Sequence, residues 1–346
     1  MRRRLAVLLT PLLLLAMLPG AVSASPAAAA RAEHDRIVAF WTPARLAAAQ
    51  PRDITFDPVR GFVVTSDRMV PRAATDPVNT VSNGSSYGAG GGNVATAEGK
   101  VFFVMGAFAY QCSATPVVDA RSGYALVLTA GHCAIDKGKF ATNWMFIPNY
   151  DAAPAGYNNC AGTIWGCWTA KALFVHQKFA SQKRFNNTAI TNDWAFALLN
   201  PGGFTNEQLD AKVGGAFGIS FSGPAFGTEL AAYGYPAAAP YNGNDLSFCQ
   251  GRIGTDPGTA NATWAMACNM TGGSSGGGWL DGDWKNFPSF LSGGTTGTGG
   301  ARLRSLNSYG YSGVPNMYGP KFNTRTQFTY DAANGDATTN TIVSGG

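Results

Sequence analysis

The sequence predicts an all-β protein built from two small barrels, and three observations carry that expectation. Only 13% of the 346 residues are charged, against roughly 25% in an ordinary soluble domain, which excludes a charged coiled coil and a disordered chain. Forty-four glycines and 19 prolines interrupt an apolar content of 45% every few residues. That punctuation suits many short strands joined by turns rather than long helices. Beyond Gly99 the strand-like segments fall into two sets of six, divided by a Gly and Pro patch at Asn200–Gly203.

The elements follow in order. Residues 1–24 carry Arg2, Arg3 and Arg4, an apolar run from Leu5 to Leu18, and small residues at Val22 and Ala24. This is the pattern of a secretory signal cleaved after Ala24, and the run is shorter than the roughly 20 residues that span a bilayer. Residues 25–93 read as a leader. One short helix is expected there, with Thr42 as N-cap, Pro43 in the first turn and Pro51 after Gln50 as the stop. The glycine-rich stretch 81–93 reads as an exposed, cleavable linker, so the leader is expected to be a propeptide ahead of a domain at 94–346. The first strand set is Val101–Met105, Ala114–Val118, Ala125–Thr129, Trp144–Ile147, Ala172–Val175 and Trp194–Leu199, a barrel over about 99–200 by residue number. The second is Gly218–Phe221, Glu229–Tyr235, Ser247–Ile253, Thr263–Ala267, Gly278–Leu280 and Leu303–Tyr309, a barrel over about 201–320. A glycine-rich surface loop, 281–301, lies inside it.

Three of the five excess positive charges sit on Arg2–Arg4, leaving +2 for the remainder. With no basic stripe elsewhere, a nucleic-acid partner has no support. The six cysteines are an even number in an exported chain and are expected to pair with their nearest neighbours: Cys112 with Cys133, Cys160 with Cys167, and Cys249 with Cys268. Their spacings match no zinc pattern.

Three histidines narrow any imidazole chemistry to His34, His132 and His176. His132 ends a buried strand, Val127-Leu128-Thr129-Ala130-Gly131-His132-Cys133, an anchored position suited to a general base. Downstream, Thr271-Gly272-Gly273-Ser274-Ser275-Gly276-Gly277-Gly278 sets two hydroxyls in a run of glycines, as an exposed nucleophile with backbone N–H donors requires. A Gly-x-Ser-x-Gly reading centred on Ser274 needs a later histidine, and none follows Ser275. The order His, Asp, Ser remains. Among the intervening aspartates, Asp193 opens the apolar run Trp194–Leu199, whereas Asp136, Asp151, Asp210, Asp245 and Asp256 lie in turn-like polar surroundings.

Thr129-Ala130-Gly131-His132-Cys133, Asp193-x-Ala195-x-x-Leu198 and Gly273-Ser274-Ser275-Gly276-Gly277 resemble the three catalytic blocks of trypsin/chymotrypsin-like serine proteases, in that family's order. Gly234-Tyr235-Pro236 and the Gly-Gly-Ser-Ser-Gly-Gly block are most similar to its secreted bacterial branch. The resemblance spans about 99–318. It implies a double barrel with the site between its halves, Ser275 as nucleophile, His132 as base then acid, and Asp193 orienting the imidazole. It further implies an oxyanion hole from the Gly273 and Ser275 N–H groups, and matches Cys112–Cys133 to the disulfide beside the histidine. Asn269 falls at the pocket base, and Ser308-Tyr309-Gly310 resembles the segment that pairs with the substrate backbone.

The chain departs from the pattern at two positions. Ser274 stands where the family usually has an aspartate that receives a freed N-terminal ammonium, and Gly278 replaces a proline. Activation would then proceed by clearing the leader from the cleft or through an N-terminus that binds elsewhere. Asn269 lacks the carboxylate that selects Arg or Lys. The implied protein is a secreted, monomeric serine endopeptidase acting on proteins or peptides without metal or organic cofactor. An esterase with the same triad, and a non-catalytic binding protein of the same fold, remain alternatives.

Overall fold

The computed structural model describes residues 25–57, 59–65, 85–86, 93–150, 160–281 and 301–346. The signal sequence, most of the 81–93 linker and nearly all of the 281–301 loop lie outside the described residues.

The N-terminal segment is structured. Helix α1 (Pro26–Phe40) is capped by Ser25 with Pro26 in its first turn, and α2 (Pro43–Ala48) is capped by Thr42. Short strands β1 (Gln50–Pro51), β2 (Asp53–Asp57), β3 (Gly61–Thr65) and β4 (Ser85–Ser86) follow, then helix α3 (Asn93–Ala97). The sequence predicts α2 within two residues but not α1, whose alanine-rich surface hides its contacts. Trp41, immediately after α1, is buried and donates its indole N–H to the Asn143 carbonyl at 2.7 Å. His34 is buried beside Thr169, so this histidine serves packing.

The first barrel comprises β5 (Gly99–Met105), β6 (Phe108–Val117), β7 (Ala125–Thr129), β10 (Thr142–Pro148), β11 (Trp168–His176) and β12 (Ala195–Leu199), with a small hairpin of β8 (Ile135–Asp136) and β9 (Lys139–Phe140) at its rim. Antiparallel pairing runs β6-β5-β10-β11-β12-β7 and closes through β6 and β7. β7 and β12 are buried along their whole length, which explains why they read as unbroken apolar runs rather than alternating ones. Their register sets Thr129 opposite Ala195. The chain leaving β7 and the chain entering β12 therefore meet at one end of the barrel.

The second half holds two six-stranded sheets. One contains β13 (Gly218–Ile219), β14 (Glu229–Gly234), β15 (Ser247–Arg252), β18 (Gly278–Leu280) and β19 (Arg302–Leu306), together with β4. The other contains β16 (Gly254–Thr255), β17 (Thr263–Ala267), β20 (Tyr309–Tyr311) and β21 (Asn316–Pro320), together with β2 and β3. The expected strand Leu303–Tyr309 is divided in two, because the backbone changes partner there: Leu306 pairs with Gly278 of β18 and the Asn307 N–H donates to the Gly277 carbonyl, whereas the Ser308 N–H donates to the Tyr318 carbonyl and Tyr309 pairs with Tyr318 of β21. Each half of the molecule thus carries strands from the N-terminal segment, an arrangement that strand periodicity does not announce.

Short helices α4 (Gln177–Ala180), α5 (Asn187–Ile190) and α6 (Leu209–Val213) punctuate the connections, and the longer α7 (Thr324–Asn334) precedes the last strand, β22 (Thr341–Val343). α7 has an Asn323 capping box and receives the Trp194 indole N–H on Thr329 at 3.2 Å. β22 joins β11 in parallel, and His176 there contacts the Gly345 carbonyl at 2.8 Å through Nε2. His176 is tied to the C-terminal segment.

All three expected disulfides are present: Cys112–Cys133, Cys160–Cys167 and Cys249–Cys268. The last joins β15 to the residue before Asn269, closing a loop whose cross-link should contribute roughly 2–4 kcal/mol. The double variant Cys249→Ser/Cys268→Ser is expected to melt several degrees lower than the parent. An unchanged Tm would remove the disulfide from the account of stability.

Glu98, just before β5, is fully buried; Thr115 donates to its Oε1 at 2.7 Å and its Oε2 has no partner among the described residues. Burial pushes its carboxyl up to about 8, against about 4.3 in an unfolded chain. The folded state therefore holds a proton that the unfolded chain releases, and this group costs more stability as pH rises between those values. Glu98→Gln keeps the acceptor for Thr115 and cannot ionise. Its Tm advantage over the parent is expected to widen from about pH 5 to about pH 8, and parallel pH profiles would contradict this.

Candidate active site

The site forms where the two halves meet, and β7 and β12 supply its first pair. Three residues past β7, His132 is fully buried; two residues before β12, Asp193 is fully buried beside it. His132 Nδ1 lies 2.8 Å from Asp193 Oδ2, and the His132 main-chain N–H donates to Oδ1 at 2.8 Å. The Ser308 hydroxyl donates to Oδ2 at 2.6 Å. Both carboxylate oxygens are thus satisfied without water, as a buried charge requires. These partners assign Nδ1 as the protonated nitrogen and leave Nε2 as the one that faces the cleft. Small residues make this approach possible, since a Cβ on Gly131 would stand 3.0 Å from Asp193 Oδ1.

The serine loop is clamped onto the same end of the first barrel. The Ser113 N–H donates to the Ser275 carbonyl at 2.7 Å, and the Ser113 hydroxyl donates to the Gly273 carbonyl at 2.8 Å. A Cβ on Gly276 would lie 2.3 Å from both the Ser113 carbonyl and Thr129 Oγ1, so only glycine lets the loop sit this close. From the other side, Asn307 acts as a staple. Its Nδ2 donates to the carbonyls of Tyr233 (2.6 Å) and Ser274 (3.0 Å), while its Oδ1 accepts from the Trp279 indole at 2.8 Å. The Ser274 hydroxyl donates to the Thr271 carbonyl at 2.8 Å. The loop is therefore held by neutral hydrogen bonds where the family pattern uses an ion pair. Ser113 and Asn307 escape a sequence reading, and only their polarity inside buried strand surroundings marks them.

Gly273 adopts a left-handed backbone, φ +99°, and among the described residues neither its N–H nor that of Ser275 donates a hydrogen bond. Two unspent donors flank a buried hydroxyl, the arrangement that stabilises a developing oxyanion. No hydrogen bond joins Ser275 Oγ to His132. The imidazole Nε2 instead faces the Arg52 carbonyl at 3.2 Å.

The other residues expected at the site are placed as follows. Asn269 is buried and accepts from the Tyr241 hydroxyl at 2.7 Å. Ser308 orients Asp193. Tyr309 is fully buried; its hydroxyl and that of Tyr311 donate to Asp256 Oδ2, and burial raises both phenols well above the ordinary value. Gly310 is paired through its backbone with Thr55 of β2. His132, Cys112 and Cys133 place ligating atoms within 4.8 Å of one another, but both sulfurs are in the disulfide and offer no thiolate.

A closed barrel meeting a second β half across a buried His–Asp pair is the architecture of a chymotrypsin-fold peptidase. Solved structures agree. A thermostable serine protease, AL20, from an extremophilic microorganism is 36% identical, with a TM-score of 0.55 over 70% of this chain and 98% of that one. The protease Anisep from Arthrobacter nicotinovorans is also 36% identical, with a TM-score of 0.55 over 69% of this chain and 95% of that one. A Glu endopeptidase, 16% identical with a TM-score of 0.51 over 74% of this chain and 99% of that one, shares the fold. No protein-family model and no curated protein matches the chain. The chain belongs to the chymotrypsin-like serine protease family.

Proposed function

We propose that this protein is a secreted serine endopeptidase of the bacterial branch of its family, made with a signal sequence at 1–24 and a propeptide ending within 81–93. Ser275 attacks the peptide carbonyl. His132 takes its proton through Nε2 and returns it to the leaving amine, while Asp193, oriented by Ser308, holds the imidazole and stabilises the imidazolium. The N–H groups of Gly273 and Ser275 receive the oxyanion. The acyl-enzyme is then hydrolysed by the same groups in reverse, so the residues complete the chemistry without a cofactor and the protein acts as a monomer. The observation that carries this reading is the buried Asp193–His132 pair beside a glycine loop with two unspent N–H donors.

The test is hydrolysis of quenched fluorescent peptides by protein whose N-terminal segment has been removed by limited proteolysis, with products identified by mass spectrometry. Internal peptide-bond cleavage preceded by an acyl-enzyme burst is expected. Turnover of simple esters with no peptide cleavage would instead favour the esterase. Asn269 lacks a negative charge, so peptides with Arg or Lys before the cut are expected to show no advantage over neutral ones.

A further inference from the structure

The N-terminal segment does more than pack against the domain, because it runs through the cleft. β1 pairs in parallel with β6, Gln50 opposite Tyr110 and Pro51 opposite Gln111, and the Arg52 N–H donates to the Gln111 carbonyl at 3.1 Å. Immediately afterwards β2 pairs in parallel with β20, Ile54 opposite Tyr309 and Phe56 opposite Tyr311. Between these two anchors, Arg52 and Asp53 cross directly over the site. The Arg52 guanidinium is buried, its Nε donating to the His132 carbonyl at 2.7 Å and its Nη2 lying 3.3 Å from Asp136 Oδ1. A Cβ on Gly272 would lie 2.9 Å from Asp53 Cβ and 3.1 Å from Pro51 Cβ, so the segment lies against the mouth of the oxyanion loop.

The direction of this crossing is wrong for cleavage. Acyl transfer needs the scissile carbonyl oxygen at the Gly273 and Ser275 N–H groups and the leaving nitrogen at His132 Nε2. Here the atom facing Nε2 is the Arg52 carbonyl oxygen, at 3.2 Å. A neutral imidazole that donates from Nδ1 to Asp193 presents only a lone pair to that oxygen. An imidazolium would make the hydrogen bond but has no lone pair left for Ser275. In either state the Arg52 carbonyl occupies the position in front of Nε2 that the Ser275 hydroxyl would have to take.

We infer that residues 50–57 form a reversed intramolecular plug, which inhibits an otherwise assembled site and is not consumed by it. The inference rests on the reading of Ser275 as nucleophile. It explains how control is retained without the usual aspartate at Ser274: the oxyanion loop is already held by Asn307 and Ser113, and what is missing is access. The plug is secured away from the chemistry. Ile54 is fully buried with Ile190, Tyr309 and Tyr318, and Phe62, on the returning strand β3, meets Tyr309 edge-on at 5.4 Å. Because the segment turns a carbonyl oxygen rather than a leaving nitrogen toward His132 Nε2, release is expected to come from a cut elsewhere in the chain or from displacement of the segment, not from cleavage within residues 50–57.

The test compares full-length parent with full-length Ile54→Asp and Arg52→Ala, by the rate at which a fluorophosphonate labels Ser275. Both substitutions lie outside the catalytic groups, and the milder Arg52→Ala guards against misfolding of the first. Labelling at least tenfold faster in both variants is expected. A synthetic peptide of residues 42–65, added in excess, should slow the Ile54→Asp variant again and be recovered uncut by mass spectrometry. Equal labelling of parent and variants, or cleavage of the peptide between Arg52 and Asp53, would overturn the plug while leaving the protease reading in place. Absence of label on Ser275 in every form, including protein trimmed by limited proteolysis, would overturn both.

Discussion

Replacing Ser275 by alanine is expected to lower peptide-bond turnover by roughly 10⁶, because a nucleophile and its base act as a unit and the loss of either removes the covalent route. The residual rate should remain above that of the uncatalysed reaction, since the Gly273 and Ser275 N–H donors persist in the variant. Folding should be little affected. The loop is set by the Ser113 N–H on the Ser275 carbonyl and by Asn307 on Ser274, and none of these contacts uses the Ser275 hydroxyl. The neighbouring change is the control. Ser274→Ala loses one hydroxyl bond to the Thr271 carbonyl, a loss of about 1 kcal/mol, and should keep most of the activity. If Ser274→Ala were the dead variant and Ser275→Ala the active one, the nucleophile would be misassigned.

The second large effect is expected at Asp193. Asp193→Asn preserves shape but replaces one acceptor oxygen with an N–H donor, and every partner of the carboxylate is itself a donor: the His132 main-chain N–H, Nδ1–H and the Ser308 hydroxyl. Whichever way the amide is turned, one donor faces another. The imidazole is driven to the tautomer that presents Nε2–H to Ser275, where it cannot act as a base. Turnover at neutral pH should fall about 10⁴-fold with a much smaller change in KM. Ser308→Ala provides the graded comparison. It removes one of the three donors and leaves the tautomer intact, so its loss should be far smaller. A fall as deep as that of Asp193→Asn would mean that Ser308 takes part more directly than as an orienting group.

These two variants separate what was legible in the sequence from what was not. His132, Asp193 and Ser275 stand in motifs whose chemistry dictates their neighbours. A buried strand must end in small residues before His132, an apolar run must follow Asp193, and glycines must surround Ser275 where the loop meets β6 within van der Waals distance. The disulfide pairing was also legible, since each cysteine bonds its nearest neighbour in the chain. The staple at Asn307 and the clamp at Ser113 were not. Their importance lies in which carbonyls they meet across two sheets, and those contacts are long-range. Ser308 was visible as part of the segment before Gly310, but its hydroxyl turns to Asp193 rather than to the cleft. The N-terminal segment was the least legible part. Arg52–Asp57 alternates weakly and contains two aspartates, so its strand character comes from the edges of β6 and β20 that it completes. α7 was hidden for a related reason, because a polar sequence becomes a helix through its Asn323 cap and its packing on β11 and β12.

The most direct test of Ser275 as the nucleophile is to label the protein with a serine-directed fluorophosphonate, after limited proteolysis of the N-terminal segment, and to map the modified peptide by mass spectrometry. A single adduct on Ser275, abolished in Ser275→Ala and strongly slowed in Asp193→Asn, is the expected result. An adduct on Ser274, or none on folded protein, would contradict the assignment of an activated serine at this site.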